Sequence, residues 1–344
     1  MERIIQYEIT DEFQGNTILQ YLKKRLYTDK AVIALKKTPE GILLNNTWAY
    51  VNQKISSGDI LTVKLAETEC SENVVPEPIK LDIVYEDEDI LVVNKPANMP
   101  VHPSQNHYTG TLANGAAYYF AAQDKPYIFR CVNRLDRDTT GLTILCKHQL
   151  ASGILSNMVS KRLIKRTYLA ICVDDGSLHD KGVIDAPIAR KEGSTIERIV
   201  DFQTGERAVT HYEKIRHFPE KQVSLISLQL ETGRTHQIRV HMTHIGHPLV
   251  GDDLYGAALH DASLHDVSFY DTTSYDRPSY DATSCDEPSH ASSLSGHHSI
   301  DALCYMDRQA LHSYSLRFIH PVTLQEMYFE QALPEDMASI INEQ

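Results

Sequence analysis

The 344-residue sequence predicts an α+β protein, in which a largely antiparallel mixed sheet forms the main domain and a small α+β module precedes it. Three observations carry this reading. Short apolar runs recur between turn signals from residue 79 to residue 231. Helical periodicity is confined to a few brief segments. The first 75 residues hold one helix-like and one strand-like stretch, set off by a proline-bearing linker. Several strands with few helices are the mark of a mixed α+β domain.

Taken in order, Thr17–Leu26 places Ile18, Leu22 and Leu26 at helical spacing. Gly58-Asp59 then turns into a strand where Leu61, Val63 and Leu65 alternate with polar neighbours. Ser71–Pro78 reads as a linker, so residues 1–75 are expected to form an N-terminal module and 76–340 the main domain. Ile83–Tyr85 and Ile90–Val93 flank the acidic turn Glu86–Asp89 as paired strands that end at Asn94-Lys95-Pro96. Leu142–Cys146 is a further strand. Gln149–Leu163 sets Leu150, Ile154, Met158 and Arg162 four apart, as an amphipathic helix does. Arg166–Val173 and Gln222–Glu231 are strands, the second with Ile226, Leu228 and Leu230 on one face. Ile238–Ile245 is a short helix stopped by Gly246. Residues 257–307 stand apart. Asp261, Asp266, Asp271, Asp276, Asp281 and Asp286 recur there every five residues, without the regular apolar positions of a packed solenoid. That composition predicts a disordered acidic insertion.

The net charge is −13, and residues 257–307 alone contribute −8, leaving −5 for the rest. A chain that is not basic must contact phosphates through a local patch rather than a global field. No run approaches the roughly 18 apolar residues of a membrane helix, and the N-terminus has no signal-like h-region. The six cysteines are scattered without a CxxC pair, which suits reduced thiols in the cytoplasm.

Three constellations carry chemistry. Asp136 lies between Arg134 and Arg137, just before Asp138-Thr139-Thr140-Gly141 and a strand. Flanking cations favour an ionised carboxylate, suited to a nucleophile or a base, and arginines suit a phosphate-bearing substrate. The Asp-Thr-Thr-Gly string is one residue off the aspartic-protease motif and has no second copy, so a protease is rejected. Thr232–Met242 contains Arg234, His236, Arg239 and His241, with His244 and His247 beyond. Four histidines raise a metal site, yet HExxH is absent and two arginines repel a cation; no metal is expected. Lys161-Arg162-Leu163-Ile164-Lys165-Arg166-Thr167-Tyr168 joins a basic run to an aromatic, a combination that fits nucleic acid.

In this order and spacing the segments resemble the RluA family of RNA pseudouridine synthases. Arg134-Leu135-Asp136 matches the family's RLD motif, Tyr168 the tyrosine of KxYxA, and Gly233–His241 the GRxHQxRxH motif. Asn94-Lys95-Pro96 through His102-Pro103 matches an early NKP…HP segment. The resemblance covers about 79–256 and resumes at Arg308–Tyr314, running to Leu333-Pro334. Residues 1–75 resemble a divergent S4 RNA-binding module. Departures are modest: Asn133 replaces a usual His, Thr140 a Ser, and Arg166 a Lys.

The resemblance implies an isomerase acting on uridine in RNA without a cofactor, with Asp136 as nucleophile or base. It further implies Arg239 as that carboxylate's ion-pair partner and Tyr168 stacked on the uracil. Arg134 would fill the gap left by a flipped-out nucleotide. Lys161, Arg162, Lys165, Arg166, Arg234 and His236 would contact RNA. An S4-like module favours ribosomal over transfer RNA, and a monomer is expected. The competing readings are a non-catalytic S4-type assembly factor and a nucleoside glycosidase. The second would need another positioned acid, and none is evident.

Overall fold

A computed structural model describes residues 2–104, 108–256 and 305–342. The acidic pentads, their histidines, Cys285 and Cys304 lie outside the described residues. The chain forms two compact units: residues 1–166 with 313–332, and residues 167–312 with 333–344.

The first unit opens with an antiparallel sheet of order β1-β4-β2-β3, comprising β1 (Glu2–Glu8), β2 (Ile42–Leu44), β3 (Thr47–Trp48) and β4 (Ile60–Ala66). Leu61 and Val63 are fully buried, as their alternation requires. Helix α1 (Ile18–Lys24) starts at Thr17, which forms a reciprocal capping box with Gln20. A second helix, α2 (Asp29–Lys37), is capped by Thr28 and was not anticipated.

Next come β5 (Ile83–Glu86), β6 (Ile90–Lys95) and β7 (Thr140–Cys146), antiparallel neighbours as the paired apolar runs predicted. Strand β7 is buried on both faces, which explains an apolar run without alternation. Beside it lies the Ser313–Ile319 part of β14 (Leu311–Ile319), which pairs with β15 (Glu326–Glu330). Gly141, at φ +107°, sits so close to Ser313 that a Cβ would lie 2.3 Å from its carbonyl oxygen. Only glycine fits that turn.

Helix α3 (Leu112–Ala121) also escaped the sequence reading, whereas α4 (Gln149–Ser160) was expected. The latter stops three residues earlier than its spacing suggested. Arg162 adopts a left-handed φ of 59°, Leu163 N–H bonds the Met158 carbonyl, and Arg162 N–H bonds that of Val159. This is a Schellman terminus, so Arg162 leaves the helical face. Apolar side chains of α1, α2 and β4 share one core with those of β6, β7 and α4.

The second unit contains an antiparallel sheet of order β8-β13-β12-β9. Its strands are β8 (Lys165–Val173), whose first two residues belong to the other unit, β9 (Lys181–Asp185), β12 (Val209–Phe218) and β13 (Val223–Leu230). A separate hairpin pairs β10 (Ile188–Arg190) with β11 (Arg198–Val200). Helix α5 (Gln237–His244) ends at left-handed Gly246 as expected, and α6 (Glu335–Ile341) packs on Ile171, Val173 and Val223. Among the described residues no helix is long and apolar enough to cross a membrane.

Candidate active site

In the first unit, the loop around Asp136 is held by contacts on both sides of it and by the Thr139 N–H on the Asp136 carbonyl at 3.2 Å. Buried Asn133 donates from its amide to the Leu142 carbonyl at 3.0 Å and accepts the Ile144 N–H at 2.9 Å. Thr143 Oγ1 donates to the Asn133 carbonyl at 2.7 Å. A side chain thereby extends the ladder of β7 and fixes where the loop departs. At the end of β6, Lys95 is only 1% exposed and its ammonium donates to three carbonyls. These belong to Pro96 at 2.8 Å, Met99 at 2.9 Å and Arg137 at 2.8 Å. An ammonium withdrawn from water requires such acceptors. Met99 N–H also bonds the Arg137 carbonyl at 3.1 Å, and Asp138 accepts the Asn98 N–H at 3.1 Å.

On this frame Leu135 points inward, Asp136 is half-buried, and Arg134 and Arg137 are exposed. The two arginines are not equivalent. Arg137 Nε is 3.0 Å from Asp138, so its charge is committed to the neighbouring carboxylate. Burial holds the His102 imidazole below its usual pKa, and the nearby Arg134 charge adds to that. Lys161, Arg162 and Lys165 are exposed, while the Nε of half-buried Arg166 is shielded without an acceptor among the described residues.

In the second unit, Tyr168 is buried on β8, in register with Leu228 of β13. The Gly233–His241 segment turns into α5 around Gln237. That side chain accepts from Thr232 Oγ1 and the Arg234 N–H, and donates to the Val209 carbonyl and Thr210 Oγ1. His236 takes a left-handed φ of 56° just before the helix. Arg239 follows, 7% exposed, and donates from Nε and Nη2 to the two oxygens of Asp252, both at 2.7 Å. Asp252 also accepts the N–H groups of Leu254 and Tyr255, and the guanidinium lies 4.9 Å from the Tyr255 ring centroid. The Tyr255 hydroxyl accepts the Arg198 N–H at 2.9 Å and shares a hydrogen bond with His236 Nδ1 at 2.8 Å. The structure thus gathers Arg239, His236, Asp252 and Tyr255. Sequence reasoning missed the last two. Arg234 is ion-paired with Glu206 and donates to the Arg207 carbonyl at 3.1 Å.

Among the described residues the histidines of this segment are not grouped at metal-ligand distance. His241 spends one nitrogen on Thr210 Oγ1 at 2.9 Å and the other on the Ala186 carbonyl at 2.8 Å. Asp87, Asp89 and His320 in the first unit are close enough to share an ion. Most of their atoms are already engaged, however, and His320 Nε2 faces Asp87 at 2.8 Å. Asp89 accepts from Arg3 and His148, Asp87 accepts from Tyr85 and two backbone N–H groups, and His320 Nδ1 accepts two more. Burial pushes the Asp87 carboxyl up, but its hydrogen bonds from His320, the backbone and Tyr85 outweigh this and hold it well below the usual range.

The family profile for RNA pseudouridylate synthase matches residues 89–244. A protein named as an uncharacterized RNA pseudouridine synthase, YjbO of Bacillus subtilis, is 36% identical over 320 residues, covering 93% of this chain and 94% of its own. The chain belongs to the RluA-type RNA pseudouridine synthases. Ribosomal large subunit pseudouridine synthase D of Zymomonas mobilis is 37% identical over 311 residues, spanning 86% of this synthase and 84% of that protein. The solved structure of human RNA pseudouridylate synthase domain containing 4 shares the fold, with a TM-score of 0.50 and 21% identity over 74% of this chain and 90% of that one. The synthase is therefore an isomerase that converts uridine in RNA to pseudouridine.

His241 gives the synthase a pH-sensitive element. Burial lowers its pKa from 6.5 to about 4, with the Ala186 carbonyl opposing and His244 assisting. The unfolded chain therefore takes up a proton that the folded one refuses. The resulting stabilisation is full above pH 6.5, declines as the pH falls, and is gone near pH 4. At about 1.4 kcal/mol per unit the loss amounts to about 3 kcal/mol. Thermal melts from pH 7 to 4.5 should show a falling Tm, and H241N should flatten that fall. An equally steep decline in the variant would contradict the assignment.

Proposed function

We propose that the synthase modifies large-subunit ribosomal RNA, with Asp136 as its catalytic carboxylate. The observation that carries the target is the 37% identity to a protein named ribosomal large subunit pseudouridine synthase D, across 86% of this chain. Support for the carboxylate is the match of Arg134-Leu135-Asp136 to the RLD motif, on a loop whose frame leaves Asp136 half-buried.

In this reading the N1–C1′ bond of uridine breaks, uracil turns, and C5 bonds to C1′; the C5 proton leaves and N1 takes one up. Nothing is oxidised or added, so no cofactor is required. Asp136 acts at the sugar, as nucleophile on C1′ or as base at the 2′ position. Tyr168 stacks on the uracil, and Arg239 is the counter-ion that keeps Asp136 ionised. Arg134 occupies the space of the flipped nucleotide. Lys161, Arg162, Lys165, Arg166, Arg234 and His236 contact RNA, and residues 1–75 act as an S4-like RNA-binding module. The protein works in the cytoplasm as a monomer.

The test is conversion of purified, unmodified large-subunit ribosomal RNA and bulk transfer RNA, with pseudouridines mapped on both. Sites in the ribosomal RNA are expected. Modification of transfer RNA alone would overturn the target while leaving the enzyme class intact.

A further inference from the structure

We propose that Trp48 and Tyr50 form a base-stacking platform for unpaired nucleotides of the RNA substrate. This deepens the reading of residues 1–75 as an RNA-contacting module and rests on it.

The two rings are near parallel, 24° apart, with centroids 6.0 Å from each other. They are 61% and 71% exposed, among the most open large apolar side chains in the described residues. Core packing does not account for them, because Ile42, Leu44, Leu61 and Val63 already fill the interior of this sheet. The backbone accounts for their arrangement. Left-handed Asn45 and Asn46 close the β2–β3 hairpin, and Trp48 pairs with Leu43. Ala49 turns inward, buried, with its N–H on the Ile42 carbonyl. Trp48 and Tyr50 thus fall on the same side of an extended segment. The Gln53 N–H on the Tyr50 carbonyl fixes the turn that follows. The platform is set before any ligand arrives.

Charge favours a nucleic acid over an apolar protein face. The folded part of the module, from β1 to the end of β4 (residues 2–66), holds nine Lys and Arg against seven Asp and Glu, and Glu67, Glu69 and Glu72 follow it. Exposed Lys30, Lys36, Lys37 and Lys54 make no ion pair among the described residues. Exposed aromatic faces and exposed lysines within one module are the elements of sequence-tolerant single-strand binding, since every base has a face to stack. A paired stem keeps its bases stacked on each other, so the ligand is a single-stranded stretch of RNA.

Trp48 is the single tryptophan of the chain, so its emission reports this site alone. Full-length synthase is titrated with a 12-nucleotide oligouridylate and, in parallel, with a 12-base-pair RNA duplex. The single strand should quench Trp48 and shield it from acrylamide, and the duplex should do neither. Y50A should weaken oligouridylate binding about five- to hundredfold by filter binding, with an unchanged Tm. Unaltered emission while filter binding shows the strand bound would overturn the platform, as would Y50A binding with wild-type affinity. Shielding that grows with protein concentration alone would mark a protein interface, and overturn it too. A failure of Asp136 as catalyst would appear only as retained turnover in D136N, which should still quench like the wild type.

Discussion

D136N is expected to lower pseudouridine formation by at least about a hundredfold and up to about ten-thousandfold, with folding and RNA affinity retained. An amide of nearly the same shape can neither attack C1′ nor take a proton at neutral pH. Several contacts away from the carboxylate support the loop's path. Lys95 holds the Arg137 carbonyl, Asn133 ties the loop's entry to β7, and Leu135 anchors it inward. Release of the C5 proton from labelled RNA measures the step directly. Turnover within a few-fold of wild type would remove Asp136 from the mechanism.

D252A is expected to be strongly destabilising, costing about 3–5 kcal/mol, because it removes both carboxylate oxygens of a buried bidentate pair with Arg239. On a unit of this size that lowers Tm by on the order of 10 °C. Asp252 supplies both oxygens to Arg239 and also receives two backbone N–H groups, so its loss opens the turn leading into Tyr255 as well. The double variant Arg239→Met with Asp252→Leu should recover part of that stability, since both charges of the pair are removed together, and should stay inactive. If each single change and the double cost equal amounts independently, the pair is not the coupled element inferred here.

Much of this molecule was legible before its structure because its strands obey simple patterning. Paired apolar runs gave β5 and β6, and β13 followed from the alternation of Ile226, Leu228 and Leu230. The helix α3 was hidden by its own residues. Asn114-Gly115 reads as a turn, yet Asn114 completes a capping box with Thr111, and Gly115 lies where a Cβ would meet Ile79 and Leu81. Tertiary packing reversed a local preference. Arg162 failed for the opposite reason: the four-residue spacing continued on paper after a left-handed residue had ended the helix.

Motif order singled out Asp136, Tyr168 and Arg239, because chemistry constrains residue type. Asp252 carried no comparable signal. Its partner is thirteen residues away, and the pairing depends on a turn that neither side chain encodes. Lys95 was visible as part of Asn-Lys-Pro, but its task emerged only when three carbonyls were found around one ammonium.

That ammonium has a consequence for how the loop tolerates change. Its acceptors are main-chain oxygens, which every amino acid supplies, so no substitution at 96, 99 or 137 can delete them. This part of the frame needs one particular side chain, and it is read out on atoms common to all residues. Side chains at 96, 99 and 137 can therefore change while the Lys95 ammonium keeps its three acceptors.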